Sequence, residues 1–351
     1  MNRRLPSLLD RLRAWRPPSE WTRLSVLDTH AAGEPLRIVT AGLPPLPGGT
    51  MLDQRRHLKD ELESFRKALM REPRGHRQMY GCIITGPVST EADFGLLFMH
   101  NEGYSTMCGH GIIAVATVAV ETGAVEVHEP ETKITIDTPA GPVAARVRVQ
   151  GGRARSVAFR NVPSFVLALD QEVDVPGLGP IEYDLAFGGA FYAYVAAEQI
   201  GARCVEEESA SLLEKGMAIK RAIMEKGEIR HPDEEDLGFL YGTIFFAPPE
   251  GRDAGSRNAC VFADGQLDRS PTGTGVSGRL AIHHARGEIG LEEPLIVESI
   301  IGTRFTGRVV ETTRVGPYSA VVPEVEGSAH ITGRSDFWID PADPLKDGFI
   351  L

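Results

Sequence analysis

Two short runs hold the side chains best suited to moving a proton: Met107-Cys108-Gly109-His110-Gly111 and Pro271-Thr272-Gly273-Thr274-Gly275. In each, a thiol or hydroxyl is followed by Gly-x-Gly, a mostly apolar stretch, and a glycine fifteen residues on: Gly123 after Cys108 and Gly287 after Thr272. A polar residue in front and a glycine suited to C′ behind mark the start and stop of a helix, so the chain reads as one active-site wall built twice. The first N–H groups of a helix lack intrahelical partners and carry the positive end of its dipole. Glycine lets a carboxylate reach them, and two such starts facing one cleft would hold it from both sides. A thiol at a helix start is expected to have a lowered pKa and to serve as a base near neutral pH. The Thr272 hydroxyl titrates far higher and only donates or accepts hydrogen bonds. The pair therefore offers one base and one partner that is not a base.

Positioning these groups calls for a helix behind each and a sheet around it. Ile112-Ile113-Ala114-Val115-Ala116-Thr117-Val118-Ala119-Val120 is apolar on every side, as befits a helix at the centre of a domain. Short β-rich segments bounded by glycine and proline precede it (Leu24–Leu27, Leu36–Thr40, Cys82–Ile84, Phe94–Phe98), and more follow (Thr132–Ile136, Val143–Val147). Leu58, Leu62, Phe65 and Leu69 recur at helical spacing, which predicts one amphipathic surface helix. After Gln150-Gly151-Gly152, a natural boundary, the order repeats. Strands are expected near Ser156–Phe165 and Ala190–Ala196, a helix around Ser209–Glu225, and a β-rich stretch from Tyr241 to Phe262 leading to the second glycine motif.

Composition fits an enzyme of about two domains: 351 residues, 42% hydrophobic and 24% charged. A net charge of -11 argues against nucleic acid or an anionic membrane as partner, and no apolar run approaches a membrane span. Four unpaired-looking cysteines, Cys82, Cys108, Cys204 and Cys260, suit a reducing compartment and hence the cytoplasm. Residues 1–21, with Arg3, Arg4, Arg11, Arg13 and Arg16 around Leu5, Leu8, Leu9, Leu12 and Trp15, read as an appended surface helix rather than a secretory signal. Gly273-Thr274-Gly275-Val276-Ser277-Gly278 matches the dinucleotide fingerprint but does not directly follow a strand. His283-His284 has no thiolate or carboxylate at zinc-like spacing and reads as a solvated helix face, so no metal is expected.

Met107-Cys108-Gly109-His110-Gly111, Asp268-Arg269-Ser270-Pro271-Thr272-Gly273-Thr274-Gly275 and Asp28-Thr29-His30-Ala31-Ala32-Gly33-Glu34-Pro35 together resemble the signatures of the proline racemase family, with weaker matches at Phe187–Tyr192, His231-Pro232 and Gly348-Phe349. The resemblance runs from about Ser25 to Leu351. It implies an α/β (α+β) fold of two pseudo-symmetric lobes like diaminopimelate epimerase, each a sheet wrapped around a central helix, with the active site in the cleft between. It also implies that the C-terminal segment returns to the first lobe. The expected division is an extension (1–21), a Cys108 lobe (22–152 with 337–351) and a Thr272 lobe (153–336).

The family's racemases and epimerases carry cysteine at both catalytic positions. Thr272 in place of the second resembles the dehydratase branch, which needs only one base because the carbanion decays by expelling the 3-hydroxyl. By that resemblance Cys108 accepts the Cα proton and the N–H groups around Gly109, His110, Gly273 and Thr274 hold the carboxylate. Asp268 and the His110 side chain lie near the ring nitrogen, and Thr272 bonds the substrate or assists the departing hydroxyl. No cofactor is required. The partner is a small hydroxyproline-type imino acid, and the assembly is compatible with a homodimer. Alternatives left open are a proline racemase or 4-hydroxyproline epimerase, a non-catalytic amino-acid-binding protein, and a nucleotide enzyme.

Overall fold

The computed structural model describes residues 4–351; Met1 to Arg3 of the expected extension lie outside the described residues. The extension forms α1 (Arg4–Ala14), whose Leu8, Leu9 and Leu12 are exposed. Trp15, just beyond it, sets its ring edge-on to Trp21 at 6.0 Å and Trp338 at 5.5 Å.

The first half then runs β1 (Thr22–Ala31), β2 (Glu34–Ala41), α2 (Met51–Glu61), α3 (Glu63–Met70), β3 (Gly81–Thr85), β4 (Phe94–Met99), β5 (Tyr104–Ser105), α4 (Gly109–Glu121), β6 (Glu131–Thr138), β7 (Gly141–Gln150), β8 (Arg153–Arg160) and β9 (Ser164–Val175). The second half runs β10 (Gly179–Phe187), β11 (Phe191–Ala196), α5 (Ser209–Lys226), β12 (Leu240–Ala247), β13 (Ser256–Phe262), β14 (Gln266–Leu267), α6 (Gly273–Ala285), β15 (Leu295–Glu298), β16 (Arg304–Val315), β17 (Tyr318–Gly327) and β18 (Ala329–Ile339).

Strand pairing shows the duplication directly. β1–β2 antiparallel, β2–β3 parallel, β3–β4 and β4–β5 antiparallel, β4–β6 parallel, and β6–β7 and β7–β8 antiparallel all recur nine strands later with the same sense. β1 pairs with β18 as β10 pairs with β9. The strands alternate in the expected way: in β7, Val143, Ala145, Val147 and Val149 are buried while Ala144, Arg148 and Gln150 are exposed. α4 is buried from Gly109 to Val120 and α6 from Gly273 to Ile282, so each is the apolar axis of a lobe.

The expected boundary after Gly152 falls in the β7–β8 turn. β8 packs on α4, and β18 meets β1 from Ala329 onward. Strands are thus exchanged between the halves, and β17 lies against both β8 and β9. The expected single helix through Leu58–Leu69 is two, α2 and α3, because Leu62 leaves helical geometry at φ −121°, ψ 18°. Its apolar stripe still seats Leu58 and Leu69 in the core.

Candidate active site

The two helix starts touch. A Cβ added to Gly109 would stand 2.7 Å from Cα of Gly273, and one on Gly273 would stand 2.9 Å from Cα of Gly109, with the Phe159 ring beneath both. Only glycine permits that approach, and it brings the unpaired N–H groups of Gly109, His110, Gly273 and Thr274 to one place. The segment Phe187–Tyr192 threads past the same junction. A Cβ on Gly188 would lie 2.2 Å from the Thr274 carbonyl oxygen, and Thr106 Oγ1 donates to the Gly189 carbonyl at 2.7 Å.

The cysteine and threonine occupy equivalent places but are used differently. Cys108 is extended (φ −147°, ψ 107°) and its Sγ caps its own helix by accepting from Gly111 N at 3.2 Å; His110 Nδ1 is also 3.2 Å from Sγ. Thr272 sits at φ 67°, ψ 96°, a strained place for a β-branched residue, and makes no cap. Its hydroxyl turns away and donates to Asp268 Oδ2 at 2.8 Å, while Asp268 Oδ1 accepts from Ser270 N at 2.7 Å. Arg269, the next residue, reaches back to the early motif: its N–H donates to Glu34 Oε2 at 2.8 Å.

Cys108, Gly109, His110, Asp268, Thr272, Gly273 and Thr274 line one cavity; every expected site residue is present in it. The cavity also takes in Met107, Tyr80, Tyr192, Tyr241 and Phe262, which sequence reasoning missed. A signal for two of them exists in the duplication. Tyr80-Gly81 leads into β3 and Tyr241-Gly242 opens the corresponding strand β12. The enclosed space is only about 20 Å³, room for one or two water molecules. Among the described residues no group of three or more His, Cys, Asp or Glu could hold a metal ion, and no helix is long and apolar enough to cross a membrane.

The family profile described as proline racemase matches residues 26–350. The chain belongs to the proline racemase family. It is 46% identical over 340 residues, 96% of this chain and 96% of the other, to the trans-3-hydroxy-L-proline dehydratase of Colwellia psychrerythraea. It is also 46% identical over 328 residues, 93% of this chain and 98% of the other, to the 3-hydroxyproline 2-epimerase of Burkholderia multivorans. A crystal structure of a hydroxyproline epimerase from Agrobacterium vitis, with bound trans-4-hydroxy-L-proline, has a TM-score of 0.91 at 33% identity, covering 95% of this chain and 96% of that one.

Within this member of the proline racemase family, the electrostatics reverse one expectation. Burial pushes the Cys108 thiol well above the ordinary thiol range; the Gly111 N–H and the Tyr80 hydroxyl pull it down, and Asp268 pushes it further up. One capping N–H does not offset removal from water in so small a space. His110 is held neutral, chiefly by burial. In the run that matches the dinucleotide fingerprint, a Cβ on Gly275 would meet Ile244 Cδ1 at 2.4 Å and one on Gly278 the Tyr194 hydroxyl at 2.1 Å. Those glycines seat α6 on β11 and β12. His283 is half-buried on that helix face, where it accepts from Arg279 Nε at 2.9 Å and pairs with Glu288.

Burial also raises the pKa of Cys260, Tyr80, Tyr192, Tyr194 and Tyr241. The folded state holds these protons while the unfolded chain releases them near pH 8.5 for thiols and about 10 for phenols. Their contribution to stability is therefore complete below about pH 8 and is lost as pH rises through that range. The melting temperature, followed by circular dichroism from pH 7 to pH 10.5, is expected to hold and then fall steeply above about pH 9; a flat profile would contradict the burial.

Proposed function

We propose that this chain dehydrates trans-3-hydroxy-L-proline to a pyrroline-2-carboxylate, without a cofactor, using Cys108 as its base. The observation that carries the reading is the inequality of the two helix starts. One presents a thiol; the other presents a hydroxyl whose single proton is already given to Asp268 Oδ2. A racemase or epimerase must return a proton on the opposite face of Cα, and nothing at Thr272 is free to do so.

The chemistry follows from the donors. The substrate carboxylate accepts from the N–H groups of Gly109, His110, Gly273 and Thr274, which then face the enediolate that forms as the proton leaves. Each such fixed donor contributes about 3 kcal/mol in comparable oxyanion sites. The ring-nitrogen cation, beside Asp268 and His110, lowers the pKa of the nearby thiol by direct attraction, offsetting the burial that raises it before binding. Cα–H breaks to Sγ of Cys108, C2=C3 forms, and the C3–O bond breaks to release the hydroxyl. In the trans isomer, carboxylate and hydroxyl lie on opposite ring faces, so Cα–H and C3–OH share one face. The departing hydroxyl thus leaves on the Cys108 side, and Thr272 on the opposite helix start is not placed to assist it.

The cysteines, all four free and buried, support a cytoplasmic location. The epimerase reading is favoured by one finding, the Burkholderia multivorans relative of equal identity. Incubation with trans-3-hydroxy-L-proline, trans-4-hydroxy-L-proline and L-proline in deuterium oxide separates them. Cyclic-imine formation from the 3-hydroxy compound alone is expected. Deuterium at Cα with inversion of any of the three would put a proton donor opposite Cys108 and overturn the reading, as would saturable binding with no turnover.

A further inference from the structure

Expelling hydroxide from carbon requires a proton for the leaving oxygen, and the shared face of Cα–H and C3–OH restricts where it comes from. The donor must stand on the wall that carries Cys108. Tyr80 is on that wall, immediately before β3 and within the half that contains α4. Its ring lies edge-on to the His110 ring at 4.9 Å, and both residues line the cavity with Cys108. Its hydroxyl is not isolated: it bonds the Ser105 hydroxyl, and the Tyr241 hydroxyl lies 3.4 Å away from the other lobe.

We propose that Tyr80 is the acid that protonates the departing 3-hydroxyl. The inference rests on the dehydratase reading and adds a catalytic residue to it. As the C3–O bond breaks, the oxygen takes the Tyr80 proton and leaves as water, while the Cα proton resides on Sγ of Cys108. The Tyr80 oxygen then recovers a proton from that thiol, and thiolate and phenol are both restored. No other reactant is needed. Burial raises the Tyr80 pKa, so the phenol stays protonated across the neutral range and holds its proton until the leaving oxygen takes it. The Tyr80 hydroxyl draws the Cys108 pKa down, and both groups line the same cavity, so the returning proton has only that cavity to cross. The short contacts to Ser105 and Tyr241 spread the charge while the phenol lacks its proton.

The role is tested with two leaving groups. Wild type and Tyr80→Phe are given trans-3-hydroxy-L-proline and the 3-fluoro-L-proline with fluorine on the same face as Cα–H, reading cyclic-imine formation and free fluoride. Fluoride leaves without a proton. Tyr80→Phe is expected to slow hydroxyl loss about 100-fold or more beyond any slowing of fluoride loss, in the range of a lost general acid; support that Tyr80 lends to Cys108 affects both substrates alike and cancels in that ratio. Equal slowing of both would show that Tyr80 only positions Cys108, and slowing of neither would leave the Cys108 thiol as sole acid; each overturns the proposal. Fluoride release by the variant doubles as proof that it folds. If the wild type leaves the hydroxy compound untouched, the dehydratase reading fails and takes this role with it, a result distinct from the other two.

Discussion

Cys108→Ser is expected to lower the dehydration rate by about 1,000-fold or more while leaving the melting temperature nearly unchanged. The two halves of that expectation come from separate duties of one atom. As a cap, Sγ accepts from Gly111 N, and a serine oxygen does that at least as well, since serine is among the preferred N-cap residues. As a base, an oxygen in the same buried place holds its proton far too tightly to take another from carbon, and loss of a general base costs roughly 10² to 10⁴ in rate. Imine formation and thermal unfolding measured on the same preparation check both. Activity within tenfold of wild type would shift the base to His110, whose Nδ1 lies 3.2 Å from the sulfur.

Gly109→Ala is expected to damage both rate and stability. The new methyl would stand 2.7 Å from Cα of Gly273 and 2.9 Å from Cζ of Phe159. The first of these is backbone of the opposing helix start and cannot swing aside as a flexible side chain does. The helices must separate, and the donors of one start are no longer registered with those of the other. Overpacking of this kind costs about 1–3 kcal/mol, and misplacing a reacting group by an ångström costs on the order of 100-fold in rate. Gly123→Ala is the control. It has open space around it and a positive φ of 67°, so it is expected to lose some stability through backbone strain and little activity. Equal kcat/KM for Gly109→Ala and wild type would show that the junction tolerates separation and that the donors act independently.

The parts of this molecule legible in its sequence are those written in local spacing. The helix starts, the two central helices and the repeat follow from glycine placement, and the convergence of Cys108, His110, Asp268 and Thr272 is what the family resemblance of the motifs implies. What escaped depends on distant packing. Tyr80 just ahead of β3, Ser105 on β5 and Tyr241 on β12 meet only after the lobes form, and the paired Tyr-Gly steps become a signal only once β3 and β12 are known to correspond. The direction of the Cys108 pKa was misread because a helix start is a local feature, whereas dehydration of the site by Phe262, Tyr192 and Tyr241 is not. The break at Leu62 is likewise invisible to periodicity, since Leu58 and Leu69 keep their apolar phase across it. The hydroxyl of Thr272 was expected to face substrate; its turn toward Asp268 follows from a left-handed backbone that no side-chain preference of threonine announces.

A cleft this narrow leaves a nine-heavy-atom imino acid little space to share with water. Behind it the exchanged strands β8, β9, β17 and β18 tie the two lobes together, so whatever room substrate needs is made in both. Little water beside Cα means the enediolate meets few solvent protons before the C–O bond breaks, and expulsion of the hydroxyl prevails over return to substrate.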